Sequence, residues 1–150
     1  MAHAAPTSGT RPGPTPSTPL PDVFSARTHQ IAKWATPAVM GLVYGYWAAA
    51  NQRRGGPVTG WNILFGFVTA LVFAALYIAV RAVAPRMKRE MRALLWATFA
   101  GCAVGFLLNQ TGASVAWSTG MGVVTAAGMF AVLFYRYYTH EDAEGHRVVR

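Results

Sequence analysis

Acidic residues are nearly missing from this sequence: five Asp and Glu stand among 150 residues, against thirteen Lys and Arg. None occurs between Asp22 and Glu90, and none between Glu90 and Glu141. A water-exposed surface needs interspersed charges of both signs, so a soluble enzyme is close to excluded. Cysteine is as scarce. A lone Cys102 inside an apolar run forbids an intramolecular disulfide and a cysteine-based metal site, and reads as a small packing residue. The four histidines, His3, His29, His140 and His146, all lie outside the long apolar runs, which speaks against haem ligation or a proton relay within them. No Asp, Glu, Lys or Arg sits in the interior of those runs either, whereas a coupled transporter or ion pump needs one there. A catalytic residue, a metal site and a cofactor are therefore not expected. His140, His146, Glu141, Asp142 and Glu144 match no metal-ligand spacing and are expected in a solvated tail.

Apolar residues are what the chain has in quantity, at 53% against 12% charged. Four segments, roughly 32–50, 61–80, 93–110 and 115–136, approach the length of about 20 helical residues that crosses a hydrocarbon core. The expected fold is all-α: a polytopic integral membrane protein of four transmembrane helices in two hairpins, within a domain at 28–138. The second segment is the most apolar. The first carries Pro37 and few strongly apolar residues, so it is expected to depend on packing and to kink near Thr36. Trp34, Trp47, Trp61, Trp96 and Trp117 fall near segment ends, as an aromatic belt requires, with Tyr77, Tyr135, Tyr137 and Tyr138; Tyr44 and Tyr46 fit it less well.

Residues 1–27 hold six of the nine prolines and are expected to form a disordered cytoplasmic tail; residues 139–150 form a cytoplasmic C-terminal tail. The first 27 residues lack the pattern of a cleaved signal peptide, so the first apolar segment is expected to act as an uncleaved anchor. With both termini inside, eleven basic residues collect on the cytoplasmic side against Arg53 and Arg54 outside. Loops are then expected at 51–60, 81–92 and 110–114. The net charge of +8 would suggest nucleic acid in a soluble domain. Here the cations flank apolar runs, so the partners expected are the lipid bilayer and anionic lipid headgroups rather than nucleic acid, with Arg81, Arg86, Lys88, Arg89 and Arg92 as a basic membrane-surface loop. Arginine over lysine with abundant Ala and Gly points to a GC-rich bacterial genome and hence to the plasma membrane.

Two patterns bear on packing. Gly41 and Gly45, Gly66 and Ala70, Gly101 and Gly105, and Gly122 and Ala126 repeat small residues four apart, which lets helix backbones approach closely. These eight are the expected packing residues, within the chain or toward a homo-oligomer or larger membrane complex. The stretch from Trp61 to Ala70 also aligns on Trp117 to Ala126 with five of ten positions identical, the signature of a two-helix internal repeat. Upstream, Gly41 and Gly45 match Gly101 and Gly105, and Asn51-Gln52 matches Asn109-Gln110, only through two-residue gaps. The expected role is non-enzymatic, a small membrane scaffold or accessory subunit. The alternative is an uncoupled carrier, pore or holin-like oligomer with a path lined by Thr69, Thr125, Asn51 and Asn109. An intramembrane enzyme ranks last.

Overall fold

The computed structural model describes residues 25–140, so the readings made for residues 1–24 and 141–150, with Glu141, Asp142, Glu144 and His146, fall outside the described residues; Ala26 and Arg27 of the expected N-terminal tail, and Thr139 and His140 of the expected C-terminal one, are helical. Four helices follow one another: α1 (Ala26–Arg53), α2 (Gly60–Val83), α3 (Arg89–Gln110) and α4 (Val115–His140), with a 3-10 turn at Ala84–Arg86. No strand occurs among the described residues.

The helix starts are set by short polar side chains that accept otherwise unpaired N–H groups. Thr28 N–H donates to Ser25 Oγ at 3.4 Å, Asn62 N–H to Thr59 Oγ1 at 3.2 Å, and Trp117 N–H to Ser114 Oγ at 3.2 Å. At the start of α3 the carbonyl of Lys88 accepts from Arg92 N–H at 2.9 Å, and Glu90 lies in the first turn, where the helix dipole favours an anion. The end of α1 is left-handed: Arg54 has φ 48° and donates its N–H to the Asn51 carbonyl, and Gly55 follows at φ 85°. Gly112, at φ 86°, makes the corresponding reversal after α3.

Helices outrun the apolar segments that announce them. The segment 81–92, expected as a basic loop, is mostly helical: α2 continues to Val83, the 3-10 turn carries Arg86, and α3 opens at Arg89. Only Met87 and Lys88 lie between helical elements. Arginine is a good helix former, so hydropathy marks where lipid ends and not where the helix ends. α1 likewise runs unbroken through Pro37, which is fully buried.

Three helical stretches, Gly60–Arg86, Arg89–Gln110 and Val115–Thr139, are long and apolar enough to cross a membrane. α1, at 28 residues, has the length, but it falls short in apolar content. α1 packs along α2, and α3 along α4; the two hairpins meet where α3 touches α1 and α2. Among the described elements α4 packs on α3 alone.

The interior is built of small residues and the surface of large apolar ones. Ala48, Ala70, Ala84, Ala93 and Ala97 are buried, and Phe73 is the one large apolar side chain beside them among the described residues. Leu71 is 71% exposed, Tyr46 77% and Tyr135 72%. Water would not tolerate so continuous an apolar exterior, whereas lipid tails solvate it, and backbone groups are satisfied within each helix. This is a membrane protein.

Candidate functional site

The helix contacts rest on glycine and alanine. A Cβ built on Gly45 would fall against the Gly66 carbonyl oxygen and 2.7 Å from Ala70 Cβ. A Cβ on Gly101 would meet the Gly122 carbonyl oxygen and lie 2.8 Å from Ala126 Cβ. Gly41 faces Ala70 and Ala74, Gly66 faces Ala49, and Gly105 faces Ser118 and Gly122. The structure thus places all eight expected packing residues at contacts within a hairpin. Dispersion between closely approaching backbones holds such pairs where lipid gives no hydrophobic drive.

These contacts also settle how the two halves correspond. Gly45 and Gly101, Gly66 and Gly122, and Ala70 and Ala126 are each 56 positions apart and make the same contacts. Pro37 and Ala93, and Gly41 and Ala97, lie at the same spacing and are buried in both hairpins. The match of Gly41 and Gly45 to Gly101 and Gly105 is therefore off by one helical turn, and no gap is needed. Ala97 stands where the first hairpin has Gly41, and Gly105 where it has Ala49. Alanine thus stands at Ala97 and Ala49 where the other hairpin has glycine, so identity at glycine misled the alignment.

Between the hairpins runs an aromatic seam that sequence reasoning missed. Phe65, Thr69, Phe73 and Tyr77 recur every four residues along α2 and look toward Trp96, Phe99, Ala103 and Phe106 of α3. Ring centroids lie 5.2 Å apart for Phe73 and Phe99, 5.5 Å for Tyr77 and Trp96, and 6.4 Å for Phe65 and Phe106. Tyr44 enters from α1, stacks on Phe73 at 4.3 Å, and donates its hydroxyl to the Ala103 carbonyl at 2.8 Å. It is a tertiary anchor, which explains its poor fit to an interfacial belt. Trp96 also turns inward, while Trp34, Trp47, Trp61 and Trp117 are exposed. Beside the seam lies an apolar groove of about 450 Å³. Cys102, expected as a packing residue, is exposed and lines it.

The polar residues considered for a path do not converge. Thr69 lines the inter-hairpin groove; Thr125 Oγ1 donates to its own helix at the Met121 carbonyl, 2.8 Å away. Asn51 Nδ2 donates across to the Leu107 carbonyl at 3.3 Å, tying α1 to α3, and Asn62 Nδ2 donates to the Ala49 carbonyl at 2.8 Å, tying α2 to α1. Among the described residues no three His, Cys, Asp or Glu cluster.

At the other end of the bundle the cations are organised by aromatic rings. The guanidinium of Arg89 lies 4.9 Å from the centre of the Tyr138 ring, and that of Arg92 5.1 Å from Tyr137. Arg86 donates to the Ala82 carbonyl, Arg81 sits in the last turn of α2, and Lys88 caps α3. A second groove, of about 390 Å³, opens on the α1–α2 hairpin between Leu42 and Tyr46 on one side and Ile63 and Phe67 on the other. Arg53 and Asn62 line it too. Compared with known protein families, curated proteins and solved structures, the chain finds no match.

Proposed function

We propose that this protein is a non-enzymatic membrane scaffold or accessory subunit. Its four helices cross the plasma membrane as two hairpins, with both termini cytoplasmic and the basic end against anionic headgroups. The observation that carries the reading is the freedom of α4. That helix packs on α3 alone among the described elements, and a Cβ at Gly120 or Gly128 would meet nothing within 4 Å. Glycine is unfavourable in a helix unless something uses the space it leaves. At Gly45 and Gly101 a neighbouring helix uses it; at Gly120 and Gly128 another membrane helix is the natural occupant.

The test is purification from native membranes in mild detergent and mass determination of the intact complex, for the natural sequence and for Gly120→Leu. A stoichiometric second subunit that is lost from Gly120→Leu, with helical content unchanged, is the expected result. A complex containing this chain only, together with solute flux in liposomes, would replace the reading with a carrier or pore.

A further inference from the structure

The 56-residue correspondence exposes a face that is covered in one hairpin and bare in the other. α3 meets the first hairpin through Phe99, Ala103 and Phe106, with Cys102 beside them. Their counterparts on α1 are Val43, Trp47, Ala50 and Tyr46. Val43, Tyr46 and Trp47 are 59%, 77% and 58% exposed, and Tyr46 and Ala50 line the free groove on the α1–α2 hairpin. The surface that receives α3 is built from Tyr44, Phe65 and Phe73; 56 positions on stand Ala100, Met121 and Met129 on the second hairpin. α1 and α2 do not cover α4, and Met129 is 37% exposed. Each chain therefore carries one unused copy of both sides of its own internal interface.

We infer that a second copy of this chain occupies the face: α1 of one copy seats on the α3–α4 hairpin of the next, repeating between chains the contact that α3 makes within one. The inference deepens the scaffold reading and rests on it. The two surfaces differ, so the association is heterologous and head to tail, and it closes into a ring or extends as a row. It is also weaker than the internal contact. Tyr44 and Asn51, which hydrogen-bond the hairpins together, have Ala100 and Leu107 as counterparts, neither of which donates from its side chain. Packing alone holds it, which detergent competes away; the bilayer is the place to look.

The experiment is cross-linking in native membranes with a short bismaleimide, in a Cys102→Ser background. Val43→Cys and Met129→Cys are placed on separately tagged copies and co-expressed. A mixed cross-linked dimer is expected from that pair, a ladder of multimers when one chain carries both, and loss of the product when Leu71→Cys replaces Val43→Cys. A dimer from Val43→Cys alone overturns the inference in favour of a symmetric contact. Absence of any product overturns it in favour of lipid or a foreign helix on that face. If a foreign subunit is found in the intact complex but Val43→Cys and Met129→Cys do not link, the scaffold reading survives and this inference does not. A ladder formed with no foreign subunit leaves the inference standing and removes the accessory role.

Discussion

Glycines of identical chemistry have opposite tasks in this chain. At Gly45 a methyl group would strike the Gly66 carbonyl and the Ala70 backbone, which cannot swing aside as a side chain can. Gly45→Ala should therefore destabilise by about 1–3 kcal/mol, the usual range for overpacking, and Gly101→Ala likewise. At Gly120 and Gly128 the added methyl meets open space, so alanine should stabilise by about 0.5–1 kcal/mol through its better helix propensity. Thermal unfolding of the purified variants in mild detergent would show the two signs. Tyr44 permits a similar separation of terms. Tyr44→Phe removes the hydrogen bond to Ala103 and keeps the stack on Phe73, for a loss of about 0.6 kcal/mol, whereas Tyr44→Ala empties the seam and should lose about 3 kcal/mol. Equal losses in the same unfolding assay would assign Tyr44 wholly to its hydroxyl.

The helices were legible in the sequence because lipid imposes a length and a polarity that hydropathy reads directly. Their ends were not, since Arg81, Arg86 and Arg89 continue or open helices beyond the apolar stretch, and a long charged side chain can stay in a helix there. The stripe of Phe65, Thr69, Phe73 and Tyr77 was also present in the spacing, but a stripe does not name the helix that faces it. Its partner became clear only when α3 presented Phe99 and Phe106 opposite. Spacing alone pointed to the eight small residues, yet their pairing across halves was missed by one turn because alanine substitutes for glycine at Ala97. For the element that joins the hairpins, charge gives the prediction. Neutralising Arg81, Arg86 and Lys88 to Gln should lower retention of anionic phospholipid by about 1 kcal/mol per charge, with the difference shrinking as salt rises. Native mass spectrometry with anionic and zwitterionic lipid in competition reads that loss.

For the molecule as a whole, the uneven distribution of cations predicts an orientation with both termini cytoplasmic. A reporter fused after Arg150 should signal from the cytoplasmic side; a signal from the opposite side would mean that an odd number of helices cross or that the bundle is inverted. α1 is the helix on which this count turns, since it has the length to span but less apolar content than its neighbours. Its close fit against α2 has a consequence for how the protein is made. If α1 spans, a helix of such modest apolar content enters the bilayer more readily once its mate has left the ribosome and packed along it. The unit delivered to the bilayer is then the hairpin, and a pause in synthesis within the turn around Gly55 would strand α1 outside.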